Sequence, residues 1–207
     1  VSDFPDFQTI ALRLLAIGLG LVAWFATQRL IAARSLADGA IYDHLHVVTA
    51  RWNDWLHRNP RPANAVLVAS SLGVDLLTLF VFAVAIFGPS FTPFWGLLAL
   101  FALRQLSQAW VALPAPPGII WRHPGFPSLF VTYHVGNDFF FSGHTALAVY
   151  GAIQLATLQI PALTALGIIV AVLEAVVVIV LRAHWTADVL AGVFAALAVG
   201  FLVWPVA

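Results

Sequence analysis

Apolar runs dominate the chain, and Pro, Gly and charged residues cut them into six segments: residues 10–32, 64–88, 93–111, 143–158, 161–181 and 186–203. About 20 apolar helical residues cross a hydrocarbon core of ~30 Å, so each segment is read as a membrane span. An even number of crossings places both termini on one side. Over residues 41–58, Ile41, Leu45, Val48, Trp52 and Trp55 recur at steps of three and four, while Asp43, His44, Arg51, Asp54 and Arg58 fall elsewhere. That is the pattern of an amphipathic helix lying in the membrane interface. Between the third and fourth spans runs LPAPPGIIWRHPGFPSLFVTYHVGND, whose prolines forbid a continuous helix. Loops of that length are functional or disordered, and this one leads into a polar motif. The predicted fold is all-α: a polytopic membrane protein of six transmembrane helices plus one interfacial amphipathic helix, forming a single domain over residues 1–207 with no tandem repeat.

Composition agrees with a lipid solvent. Hydrophobic residues make up 62% of the chain, charged residues 9%, and mean hydropathy is +0.97. Formal net charge is zero, so no basic excess draws the chain onto nucleic acid. The absence of cysteine excludes disulfides, thiolate metal sites and a cysteine nucleophile. All nine basic side chains are Arg, a bias that points to a GC-rich genome and a bacterial inner membrane. Met is absent even at position 1, which leads us to expect a trimmed or processed N-terminus, and no cleavable signal peptide is read. Arg29, Arg34, Arg51, Arg58, Arg61, Arg104, Arg122 and Arg182 fall on one side of the predicted topology and Arg13 on the other, so the positive-inside rule turns the Arg-rich side to the cytoplasm. Trp residues near span ends read as interfacial anchors.

The candidate chemistry lies in two short motifs, FFFSGHTALA over 139–148 and LRAHWTADVLAG over 181–192. In the second, His184 and Asp188 are four apart, on one face of a helix and within hydrogen-bonding reach. A carboxylate accepting from Nδ1 leaves Nε2 with an exposed lone pair, a competent nucleophile towards phosphorus. The plainer reading is a pair that seats a helix end. In the first motif Ser142 reads as a helix N-cap, Gly143 lets a ligand approach the backbone, and His144 sits in the first turn. Unpaired N–H groups and the positive dipole end there suit a phosphate. Polar groups at matching depth in hydrocarbon are costly, and their convergence favours function over packing. No carboxylate cluster is present to hold a metal, and neither a metal nor a cofactor is expected.

With these residues in view, the SGH motif followed by H-x-x-x-D resembles the phosphatidic-acid phosphatase superfamily. The phosphatase branch carries a Lys followed seven residues later by Arg-Pro, and an Arg six residues before the attacking His. This chain has no Lys, and Arg182 stands two before His184. DFFFSGHT (138–145), RAHWTADV (182–189) and RQLSQAWVALPAP (104–116) are instead similar to motifs of the sphingomyelin synthase branch, although GND stands where those synthases carry a Cys before Gly-Asp. The likeness covers 104–192. It implies that His184 attacks phosphorus, Asp188 orients it, and His144 protonates the departing lipid oxygen, through a phosphohistidine. It further implies Arg182 as stabiliser of the phosphate oxygens with Ser142 and the Gly143 N–H, and an extracytoplasmic site, opposite to the side indicated by the Arg count.

Other polar residues are read more plainly. Arg104 reaches the phosphate or snorkels to the interface; Asp138 contacts a cationic head group or the histidines, or organises a turn. Asp75 and Glu174 lie within spans, where they are protonated, paired across helices or line a substrate cavity. His44, His46 and His57 are not expected to bind metal, and His123 and His134 are expected to be solvated. Three functional readings follow. The preferred one is a head-group phosphotransferase moving a phosphoalcohol such as phosphocholine or phosphoethanolamine from a glycerophospholipid donor to a lipid-alcohol acceptor such as ceramide or diacylglycerol, or to water in a phospholipase C reaction. The alternatives are a lipid phosphate phosphatase acting on phosphatidic acid or a polyprenyl pyrophosphate, and a non-catalytic transporter or scaffold.

Overall fold

The computed structural model describes residues 4–32, 41–133 and 139–203. Eight helices account for the regular structure of these residues: α1 (Phe7–Ala32), α2 (His44–Val48), α3 (Ala50–Arg58), α4 (Pro60–Phe87), α5 (Thr92–Trp110), α6 (Gly143–Ala156), α7 (Pro161–Val180) and α8 (Thr186–Val203). No strand occurs among the described residues. Proline opens α4 and α7 and lies at the start of α5, where its missing N–H costs nothing. Four helices are long and apolar enough to cross a membrane: Phe7–Leu30 within α1, and α4, α7 and α8. The expected span at 93–111 appears as α5, which carries Arg104, Gln105 and Gln108. The expected span at 143–158 ends earlier, because the chain turns at Thr157 and through a left-handed Gln159 (φ 58°) into Pro161.

α6 is the central helix and packs against α4, α7 and α8. Small residues permit the approach: a Cβ on Gly151 would lie 2.7 Å from the Leu77 side chain, and one on Gly167 would lie 2.9 Å from the Ala152 backbone. At the end remote from the histidines, Arg13 Nη1 donates to the carbonyls of Ala85, Ile86 and Gly88, satisfying the C-terminus of α4.

The segment expected as one interfacial helix over 41–58 is divided at Thr49, whose hydroxyl bonds back to the Leu45 carbonyl. The buried face is also different from the apolar stripe: His46, Thr49, Asn53 and Leu56 are buried, while Leu45, Val48, Trp52 and Trp55 are exposed. Carbonyls of the loop and the α7 end set this orientation. Asn53 Nδ2 donates to Gly118 and Val180, and His57 Nε2 bonds to Gly118.

The two buried acids of the predicted spans serve different partners. Asp75 accepts from the Ser128 hydroxyl and from the backbone N–H of Leu129 (2.9 Å) and Phe130 (3.0 Å), so α4 holds the proline-rich loop against the bundle. Glu174 accepts from the Ser70 hydroxyl at 2.7 Å, pairing α7 with α4.

Candidate active site

The first motif forms as its residue types dictate. Ser142 is the N-cap of α6, its hydroxyl accepting from the Thr145 N–H, and His144 lies in the first turn. At Gly143 the Arg104 side chain passes so close that a Cβ would stand 3.0 Å from Nε. Arg104 is itself buried and fixed: Nε donates to the Phe141 carbonyl, and Nη1 to Gln28 and Gln108. Arg104, Gly143 and His144 line one narrow, mostly apolar cavity of about 30 Å³, walled by Phe130, Val131 and Trp24. The Asp75 tether therefore positions part of this wall. Trp121 meets the His144 ring edge-on at 4.9 Å.

The second motif closes onto the first. Ser142 N–H donates to the Asp188 carbonyl, and Gly192 lets α8 approach the Ser142 carbonyl, which a Cβ there would meet at 2.7 Å. The His144 and His184 ring centroids are 6.2 Å apart. His184 Nδ1 lies 2.9 Å from the Phe139 carbonyl and 3.7 Å from Asp188 Oδ2. A carbonyl only accepts, so Nδ1 carries the proton and Nε2 the lone pair. The tautomer is the one expected, but the orienting hydrogen bond comes from Phe139 rather than Asp188. Asp188 Oδ2 accepts from the Trp185 N–H at 2.9 Å, the side-chain half of a capping box at the start of α8. Two side-chain atoms, His144 Nε2 and Asp188 Oδ1, are buried with no hydrogen-bond partner. A buried polar atom left unmet in each of the two motifs marks a place for a polar ligand.

Arg182 departs from its expected place. It does not line the His144 cavity. It lines a separate one of about 340 Å³ with Tyr42, Asp43, His46 and Trp185, and its Nη2 donates to the His46 carbonyl. Arg182 has a left-handed backbone (φ 58°), a strained state for a non-glycine residue. Burial pulls its pKa below the ordinary value, against the attraction of Asp43 and Asp54. Arg104 is thus the arginine at the His144 cavity, which His184 and Asp188 do not line either. Asp138 and His134 lie outside the described residues.

Two residues of α2 and its N-cap join the second motif. Asp43 accepts from the Thr186 N–H (2.6 Å), the Thr186 hydroxyl (2.7 Å) and the His46 N–H (3.2 Å). Burial pushes its carboxyl up, but these hydrogen bonds outweigh it and leave the pKa below the usual carboxylate value. His46 Nε2 bonds to the His184 carbonyl at 3.0 Å, and its ring stacks on Trp185 at 5.3 Å. Burial lowers the His46 pKa, opposed by the nearby Asp43. Among the described residues, no group of three or more His, Asp or Glu is placed to hold a metal ion.

Helices long and apolar enough to cross a membrane, with one histidine in the first turn of α6 beside another in the turn between α7 and α8, define a helical protein with a buried polar centre. The AtPDCT1/2 family profile matches residues 42–203, from the residue before Asp43 to the end of α8, and the chain belongs to that family. No curated protein and no solved structure matches it.

Proposed function

We propose that the protein is a metal-independent lipid head-group phosphotransferase. The observation that carries the reading is the 6.2 Å separation of the His144 and His184 rings, with the His184 tautomer fixed by the Phe139 carbonyl. A nucleophile needs about 3–3.5 Å to phosphorus, and an acid about 2.6–3.2 Å to the leaving oxygen. Rings this close bring both imidazoles within reach of one phosphate group. His184 Nε2 forms the N–P bond as the bond from phosphorus to the glycerolipid oxygen breaks, and that oxygen takes a proton from His144. A phosphoalcohol remains on His184. The acceptor hydroxyl then gives its proton to His144, its oxygen bonds to phosphorus, and the N–P bond breaks. Arg104 and the N-terminus of α6 stabilise the phosphate oxygens. The resemblance to the sphingomyelin synthase branch of the phosphatidic-acid phosphatase superfamily supports the roles of His184 and His144, though it implied Arg182 rather than Arg104 for the phosphate oxygens.

In this reading all six long helices cross the bilayer. α5 and α6 continue the alternation set by α1 and α4, and α6 is enclosed by protein, so its ~21 Å length need not match the lipid thickness. α2 and α3 lie in the interface with Leu45, Val48, Trp52 and Trp55 towards lipid. Purified protein incubated with a phospholipid labelled in its head group, with and without diacylglycerol or ceramide, tests the assignment. A new phospholipid, or a soluble phosphoalcohol when water is the acceptor, is expected. Free inorganic phosphate from phosphatidic acid would replace this reading with a phosphatase, and no product from any lipid would remove the catalytic reading.

A further inference from the structure

We infer that Asp43 and His46, at the start of α2, are positioning residues for the nucleophile, holding the turn that presents His184. This rests on His184 being the attacking group. The turn from Leu181 to Trp185 has little regular structure of its own and contains a left-handed Arg182, so something outside it must fix its shape. α2 makes three kinds of polar contact with it. The Asp43 carboxylate accepts from both the backbone N–H and the hydroxyl of Thr186, while also accepting from the His46 N–H. One carboxylate therefore caps α2 and holds the first residue of α8. His46 Nε2 meets the carbonyl of His184 itself, and because a carbonyl only accepts, that nitrogen carries the proton. Arg182 Nη2 returns a hydrogen bond to the His46 carbonyl. Leu45 and Val48 are exposed and apolar, so the clamp has a polar face on the catalytic turn and an apolar face away from it.

Neither Asp43 nor His46 lines the His144 cavity, and their hydrogen bonds run to Thr186 and to the His184 carbonyl, so both act through His184. A displacement of the nucleophile on the order of 1 Å can cost ~100-fold in rate. The test measures kcat and KM for head-group transfer by the full chain in lipid nanodiscs. Asp43→Ala and Thr186→Val are each expected to lower kcat by about 100-fold with KM within about twofold, as an error of attack geometry does. The double variant is expected to be no slower than Asp43→Ala alone, since the Thr186 hydroxyl bond is one that Asp43→Ala already removes. Thr186→Ser, which keeps the hydroxyl, is expected to recover most of the turnover; it carries the test if Asp43→Ala fails to fold. His184→Ala is run beside them. If it is inactive while Asp43→Ala and Thr186→Val turn over within about threefold of wild type, the clamp is wrong and the nucleophile stands; if His184→Ala is active, both fall. Additive losses in the double variant, or a change in KM alone, also overturn the inference.

Discussion

Replacing Asp188 with Asn probes the electrostatics of the His184 site with little change of shape. Asn keeps one oxygen for the Trp185 N–H, so the start of α8 should remain capped. The lost element is a negative charge 3.7 Å from His184 Nδ1. As Nε2 bonds to phosphorus, positive charge develops on the ring, and a unit charge at that distance is attracted by about 4 kcal/mol at an effective dielectric of ~20. At 1.36 kcal/mol per tenfold, turnover should fall by about a thousandfold. A triad in which the acid also fixes the tautomer loses about ten thousandfold on the same change. Here the Phe139 carbonyl fixes the tautomer, so the smaller figure is expected. Initial rates of release of a fluorescent diacylglycerol from a phospholipid donor measure the loss, and a thermal melt checks the fold. A folded Asp188→Asn variant within tenfold of wild type would refute the electrostatic argument.

Gly143→Ala should lower turnover by about tenfold, because the new Cβ would press on an Arg104 that the Phe141 carbonyl, Gln28 and Gln108 hold in place; steady-state kinetics reads this. A melting temperature that fails to rise despite the helix preference of Ala over Gly would show the same clash. Asp75→Asn sets an amide donor against the donors of residues 128–130 and should destabilise the protein by about 1–3 kcal/mol, with faster proteolysis near Phe126. An unchanged unfolding profile would contradict that tether. His46 has a folded pKa below its ordinary value of 6.5, so the neutral ring is the one the fold prefers. Its stabilising contribution is present above 6.5 and is lost as pH falls from there towards the folded pKa. Hydrogen-exchange protection in α2, corrected for the intrinsic pH dependence of amide exchange, should therefore fall on acidification from about pH 7 to 5, and no change in protection would argue against a neutral His46.

The long helices and the two motifs were legible because both are local. Apolar runs cut by Pro and charge located the long helices to within a few residues, and Ser142 before Gly143 and His144 announced the α6 cap. The orientation of α2 and α3 was not, because two stripes compete there. The apolar stripe through Leu45, Val48, Trp52 and Trp55 is conspicuous, yet the buried one is His46, Thr49, Asn53 and Leu56, which answers carbonyls far away in the chain. In a membrane an apolar face can turn to lipid, so the hydrogen-bonding stripe was the better guide to the buried side. Arg104 stands beside His144, one of the two places open to it, while Arg182 does not, for a similar reason. Two residues from His184 in sequence, Arg182 is carried to the other cavity by a left-handed backbone that spacing does not reveal. The Gln28 bond to Arg104 spans from α1 to α5 and had no local signal.

The central claim is that His184 bonds covalently to phosphorus. Protein mixed with a phospholipid donor in the absence of acceptor, quenched under mildly alkaline conditions and digested, can be searched by mass spectrometry for a phosphoalcohol adduct. That adduct is expected on the peptide containing His184 in wild type, to be lost on adding a lipid alcohol, and to be absent in His184→Ala. Turnover by His184→Ala, or an adduct on any other residue, would contradict it.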